Sequence, residues 1–313
     1  MSELDLVTGA FSYSGSHIAR RLLEAGHEVR TLTHHPDRRH PLADAVDAGR
    51  YRFDDPAALA RSLAGVSTLY NTYWVRFDRG ASTYANAIEG SRMLFAAARR
   101  AGVRRIVHVS ITNPAISSPL PYFRGKALVE SALAQLGSPY AIVRPTVLFG
   151  GDRDVLVNNI AWILRRAPVF LVPSDHPFRL GGGRYRVQPV HVEDLARLCV
   201  QAAGGDEDDV IDAAGPEQMS FARAVALVRT AVGGVAPIVP VPKQLMALAA
   251  EGLGRLVSDV VLTRDEISGL TAGLLVSHEP PLGELAFSEW LTEHADTIGR
   301  RYANELQRHF AFA

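Results

Sequence analysis

A chain of 313 residues, 47% apolar and 21% charged, has the balance of a globular protein with a sizeable core, which excludes a disordered chain. Lys+Arg and Asp+Glu are both 33, so no basic excess exists to track a phosphate backbone, and nucleic acid is not the expected partner. The single cysteine, Cys199, excludes intrachain disulfides and cysteine-rich metal sites. No run of about 18 apolar residues offers a membrane span, and no His/Asp/Glu spacing speaks for a metal. The expectation is a soluble, cytoplasmic protein.

Leu4 to Thr8 reads as a strand, and Gly15 to Ala25 as a helix with Ile18, Ala19, Leu22 and Leu23 on one face. His27 to Thr33 is the next strand. Residues 57–64 follow as a helix, Thr68 to Tyr73 as a strand, and Ala85 to Ala101 as a long helix stopped by Gly102. Arg105 to Ser110 is a strand, 124–136 a helix and Tyr140 to Arg144 a strand. Strands alternating with helices imply an α/β fold, a parallel sheet with helices on both faces; right-handed crossovers make it a Rossmann-like, doubly wound sheet. After Gly150 the rhythm breaks. Residues 173–189, rich in Pro, Gly and Arg, read as a long loop, Val190 to Val200 as a strand and helix, Val210 to Ala213 as another strand, and the rest as mostly helical. The expected layout is a nucleotide-binding domain over 1–150, to which 190–215 returns. Residues 151–189 and 216–313 then form a smaller substrate-binding or lid part over the end of the sheet.

The first strand runs into Thr8-Gly9-Ala10-Phe11-Ser12-Tyr13-Ser14-Gly15 and then a helix. Such a turn places backbone N–H groups and a helix N-terminus where a pyrophosphate can sit. Gly9 permits the tight turn and Gly15 the close approach of helix to strand, while Ser12 stands where a third glycine is expected. The turn resembles the T-G-x-x-G-x-x-G segment of the short-chain dehydrogenase/reductase superfamily. Three further stretches, in order, resemble its extended and atypical branches: Asn86-Ala87-Ile88-Glu89-Gly90-Ser91, Val143-Arg144-Pro145-Thr146 with Phe149-Gly150, and Val190-His191-Val192-Glu193-Asp194. Within the superfamily the chain is similar to NmrA-like proteins and to relatives of an accessory subunit of respiratory complex I.

Tyr122 and Lys126 are four residues apart, one helical turn, so both side chains share a face. An ammonium beside a phenol favours phenolate, and such a tyrosine can pass a proton to or from a substrate oxygen while hydride moves at a nicotinamide. The resemblance implies that this pair is catalytic, assisted by a Ser or Thr that would fall at Ile111; Ser110 and Thr112 flank it, and either can serve. It also implies a supporting proton-relay role for Asn86. The second strand ends at Thr33 without a carboxylate, and His34 and Arg38 suit a ribose 2′-phosphate, so NADP is the expected cofactor, with NAD the alternative. The resemblance further implies that Asn71, at a strand end, lies over the adenosine ribose, that the adenine contact falls to Asp54 or Asp55, or to Arg52 in another alignment, and that Pro145 and Thr146 line the nicotinamide face. The remaining cofactor contacts fall on Gly9, Phe11, Ser12, Tyr13, Ser14 and Gly15. A small-molecule substrate is expected between Trp74 and Ser82, around Asn158, Asn159 and Trp162, and at Arg184, Tyr185 and Arg186. The implied function is an NAD(P)-dependent reductase, dehydrogenase or epimerase on a small carbonyl or alcohol, and a homodimer is a further expectation. A protein that binds NAD(P)H without turnover is the alternative.

Overall fold

The computed structural model describes residues 3–151, 153–174 and 185–310. The chain divides into two compact units, Met1–Pro145 with Val192–Ala213, and Thr146–His191 with Ala214–Ala313. Unit 1 opens with β1 (Leu4–Thr8), α1 (Tyr13–Glu24), β2 (Glu28–Thr33), β3 (Val46–Arg50) and α2 (Pro56–Ser62). It continues through β4 (Thr68–Asn71), α3 (Tyr84–Ala101), β5 (Arg105–Val109), α4 (Pro121–Ala134) and β6 (Tyr140–Pro145). Unit 2 then takes β7 (Val147–Phe149), α5 (Leu156–Arg166), β8 (Phe170–Pro173), β9 (Arg186–Val187) and β10 (Pro189–His191). The chain returns to unit 1 with α6 (Val192–Ala203) and β11 (Asp209–Ala213). Unit 2 is completed by β12 (Met219–Ser220), α7 (Phe221–Ala231), β13 (Ile238–Val241), α8 (Lys243–Val257), α9 (Arg264–Thr271), α10 (Phe287–Glu293) and α11 (Glu305–Phe310).

Unit 1 is a seven-stranded sheet in the order β11-β6-β5-β4-β1-β2-β3, parallel throughout. All of β4 and β5 is buried, as expected for strands covered on both faces. Leu6, Leu69 and Ile106 pack with Leu94, Phe95 and Leu133 in one cluster. Each such buried side chain contributes about 1.5–3 kcal/mol, which fixes which faces of α3 and α4 lie on the sheet. Buried Arg105 donates to the carbonyls of Ala202 (2.7 Å) and Glu207 (2.8 Å), tying β5 to the returning segment. Strand order reverses between β1 and β4, so crossovers leave in opposite directions and open a crevice at the C-terminal ends of those strands.

Three of the differences from the sequence reading bear on the site. β3 was not anticipated: Val-Asp-Ala-Gly-Arg buries only Val46 and pairs on one side only, with β2. α4 starts at Pro121 rather than 124, because proline suits the first helical position, and this places Tyr122 inside the first turn. The expected loop over 173–189 contains β9 and β10, while residues 175–184, including Arg184, lie outside the described residues.

In unit 2, Phe149, Val157, Leu164, Phe170, Val228 and Trp290 belong to one core. Among the described residues no helix is long and apolar enough to cross a membrane, and no cluster of His, Cys, Asp or Glu could hold a metal ion.

Candidate functional site

The turn after β1 is built on contacts that a larger residue would break. Gly9 adopts a left-handed φ of +66°, and its carbonyl accepts from the Ser12 N–H (2.7 Å) and the Ser12 hydroxyl (2.6 Å). A Cβ on Gly15 would lie 2.2 Å from the Gly9 oxygen, so α1 approaches the turn to a distance only glycine allows. The first turn of α1 carries no acidic residue, which leaves the positive end of the helix open to an anion. Ser12, Tyr13 and Ser14 are half-buried around that end, whereas Phe11 is buried against His40 (5.1 Å between ring centroids). These features fit a dinucleotide pyrophosphate.

Ser12 is the N-cap of α1, yet its side chain makes no capping bond to the helix. Glycine costs only a few tenths of a kcal/mol at such a position. Ser12→Gly is therefore expected to leave dinucleotide affinity within about threefold of wild type by calorimetry. Loss of binding would mean that the hydroxyl itself holds the phosphate.

At the tip of β2, exposed His34 packs against Tyr51 (4.9 Å) and Tyr73 (6.0 Å). Desolvation by this packing, then the His35 and Arg50 charges, hold its imidazole below the usual histidine value. Arg50, opposite Thr33 in the β2–β3 register, donates to the His34 carbonyl (3.4 Å) and lies 3.9 Å from the Asp37 carboxylate. It is a cation that sequence reasoning missed with β3 itself. Arg38 is half-buried, and that desolvation lowers its guanidinium pKa. Asp55 is not available to adenine as expected, because its carboxylate caps α2 through the Ala57 (3.1 Å) and Ala58 (2.9 Å) N–H groups. Asp54 is exposed, 3.7 Å from Arg52.

Asn71 is fully buried and committed inside the sheet. Its Oδ1 accepts from the Thr8 hydroxyl (3.2 Å) and the Tyr73 N–H (3.2 Å), and its Nδ2 donates to His108 Nδ1 (3.1 Å). Burial and the Lys126 charge keep His108 neutral, well below the ordinary histidine pKa.

Around the C-terminal end of β5 the structure gathers Ser110, Thr112 and Lys126. The Lys126 ammonium, 3% exposed, donates to the Val109 carbonyl (2.8 Å), and Tyr122 stands half-buried one turn earlier on α4. Ser110 and Thr112 are buried, their N–H groups donate to Val143 (2.8 Å) and Pro145 (3.0 Å) of β6, and neither hydroxyl has a hydrogen-bond partner. A buried hydroxyl left unpaired costs about 1–3 kcal/mol, so Ser110 and Thr112, on either side of Ile111, are candidate donors to a bound group. Asn86 is not part of this group. It is exposed at the start of α3, its amide donating to the Ala81 carbonyl (2.7 Å).

Burial lowers the Lys126 pKa from the ordinary 10.5 to about 7, opposed by the Glu130 carboxylate. Glu130 is itself held by Arg144 through two bonds of 2.9 and 2.6 Å. Because the folded value lies below the unfolded one, the unfolded chain binds more protons across about pH 7–10.5, and stability rises with pH in that window. Lys126→Met is expected to gain thermal stability over wild type at about pH 6 and to lose that advantage by about pH 10, in melts followed by circular dichroism. Equal melting offsets at both pH values would contradict a desolvated ammonium.

Unit 2 holds the other expected positions. The Thr146 hydroxyl donates to the Gln188 carbonyl. Asn158 and Asn159 are used up in pinning residues 299–303: Asn158 donates to Arg301 (2.9 Å), and Asn159 both donates to Ala303 and accepts from it (2.9 Å each). Trp162 packs on Tyr302 (5.2 Å) and under Arg166 (5.2 Å). Their part is the packing of unit 2 rather than the substrate contact expected of them. Tyr185 is half-buried and Arg186 exposed.

The model of the NAD dependent epimerase/dehydratase family matches residues 6–212. A Streptomyces griseus subsp. griseus relative, (4-alkanoyl-5-oxo-2,5-dihydrofuran-3-yl)methyl phosphate reductase, is 28% identical over 233 residues, covering 73% of this chain and 73% of its own length. The Arabidopsis thaliana protein NADH dehydrogenase (ubiquinone) 1 alpha subcomplex subunit 9, mitochondrial, is 24% identical over 208 residues, 64% of this chain; the match spans half of that relative's length. Among solved structures, triphenylmethane reductase of Citrobacter sp. complexed with NADP(H) superposes with a TM-score of 0.75 at 18% identity, over 94% of this chain and 99% of that one. That likeness concerns the fold. With the family match extending across the turn after β1, the switch point and the end of β5, the chain belongs to the NAD dependent epimerase/dehydratase family.

Proposed function

We propose that the protein is an NADP-preferring oxidoreductase or epimerase that acts on a small carbonyl or alcohol substrate through Tyr122 and Lys126. The observation that carries this reading is the pair of buried, unpartnered hydroxyls of Ser110 and Thr112, which follow Val109, whose carbonyl holds the Lys126 ammonium at the end of β5. Unit 1 is then the dinucleotide-binding part and unit 2 the substrate part. The turn from Gly9 to Gly15 holds the pyrophosphate, Arg38 and Arg50 answer the 2′-phosphate charge, and neutral His34 can donate a hydrogen bond to it. The nicotinamide supplies or accepts hydride when bound. The Tyr122 hydroxyl moves the proton at the substrate oxygen, and Ser110 or Thr112 donates to that oxygen. The reductase activity named for the Streptomyces relative is consistent with this chemistry.

The test is single-turnover loss of NADPH absorbance with a panel of aldehydes, ketones, quinones and sugar nucleotides, in wild type, Thr112→Val and Ser110→Ala. One hydroxyl variant is expected to lose about tenfold or more in rate, which identifies the donor. A second reading, binding without turnover, is favoured by Ile111 at the hydroxyl position and by the similarity to a subunit of a larger assembly. Inactivity of the wild type across the whole panel, with cofactor binding intact, would choose it.

A further inference from the structure

Trp74, on the irregular segment between β4 and α3, lies against the one bare place on the first turns of α4. A Cβ at Gly125 would meet Trp74 Cη2 at 2.8 Å and Cζ2 at 3.1 Å, so glycine between Tyr122 and Lys126 is what lets the indole reach the helix. The Lys126 ammonium sits 4.7 Å from the indole centroid, a cation–π contact that compensates its burial. Tyr84 stacks on the indole at 6.0 Å with 28° between planes, and Tyr122 meets both rings edge-on, at 5.9 Å from Trp74 and 6.1 Å from Tyr84. The loop joining β5 to α4 carries Ile111, half-buried, and Ile116, 58% exposed. The wall beside the proposed proton donor is therefore aromatic and apolar. One polar group of the wall is unspent: Trp74 Nε1–H is buried and has no partner.

Indole N–H is a donor only, and the orphan hydroxyls of Ser110 and Thr112 at the end of β5 can donate as well as accept. Such a set accepts one or two carbonyl oxygens on a flat skeleton. From this we infer that Trp74 determines specificity, and that the substrate is a flat conjugated or aryl carbonyl compound of the quinone type, stacked on the Trp74–Tyr84–Tyr122 wall with an oxygen accepting from Trp74 Nε1–H. The inference rests on the oxidoreductase reading above and names its substrate class.

The test is calorimetric titration of the full chain, saturated with NADP⁺ so that no hydride can be delivered, with 2-methyl-1,4-naphthoquinone and, separately, with UDP-glucose. The naphthoquinone is expected to bind at least about tenfold more tightly than UDP-glucose. Trp74→Phe keeps a ring over Lys126 but lacks the N–H. It should weaken the naphthoquinone by about tenfold while holding NADP⁺ within about twofold, and Trp74→Ala should weaken the naphthoquinone further. Tighter binding of UDP-glucose, absence of naphthoquinone binding, or unchanged binding in both variants overturns the inference. The same titrations without NADP⁺ separate the two readings: failure to bind the dinucleotide strikes the cofactor assignment alone, whereas the naphthoquinone isotherm decides the wall.

Discussion

Gly15→Val is expected to abolish binding of both nicotinamide dinucleotides, a loss of about 100-fold or more, or ~2.7 kcal/mol. Even a single Cβ at this position would stand 2.2 Å from the Gly9 oxygen and 2.8 Å from the Gly9 carbonyl carbon, both backbone atoms that cannot rotate aside. Valine adds two methyl groups to that clash. The first turn of α1 must then move off the end of β1, and the N–H groups proposed to hold the pyrophosphate move with it. The displacement also costs folding stability, about 1–3 kcal/mol for an overpacked site, so the variant is to be assayed well below its melting temperature. Binding by Gly15→Val at wild-type affinity would place the pyrophosphate elsewhere. The contrast with Ser12→Gly, expected to be nearly silent, separates damage at the helix–turn contact from a general effect of changing the turn.

Tyr122→Phe is expected to lower turnover by about 100-fold or more while cofactor affinity stays within about twofold. Phenylalanine keeps the ring and with it the edge contacts to Trp74 and Tyr84, so the wall around Lys126 is preserved. What disappears is the transferable proton. Single-turnover nicotinamide absorbance measures the first quantity and calorimetry the second. Turnover that survives unchanged would move proton transfer to another group, Ser110 and Thr112 being the nearest in sequence at the end of β5.

The parts of this architecture legible in the sequence are those whose signal is local. Leu4–Thr8 and Arg105–Val109 are short Leu-, Val- and Ile-bearing runs that are almost wholly buried, and the Gly9–Gly15 turn joins a strand to an amphipathic helix, so each announces itself within a dozen residues. Val46–Arg50 does not. It holds a glycine and an aspartate, buries one side chain and is a strand only because β2 offers an edge, and Arg50 was hidden with it. The pairing of Phe170–Pro173 with Ile238–Val241 was hidden for a different reason: its strands carry prolines and meet across a long stretch of chain. Asn158 and Asn159 resembled ligand contacts because an amide can serve a ligand or a backbone equally well. Their partners, Arg301 and Ala303, are far away in the chain and decide the matter only in the fold. The likeness of Asn86 to a relay residue was likewise carried by its place on α3, whereas its amide caps the preceding turn.

Titration of the wild-type protein with NADPH and with NADH, by calorimetry under one set of conditions, tests the central claim most directly. The Gly9–Gly15 turn proposed to hold the pyrophosphate and the cationic tip formed by Arg38 and Arg50, with His34 beside them, predict saturable one-to-one binding, with NADPH the tighter ligand. Binding of neither dinucleotide would contradict the assignment of the turn, and NADH tighter by about tenfold, ~1.4 kcal/mol, would contradict the role given to that cationic tip.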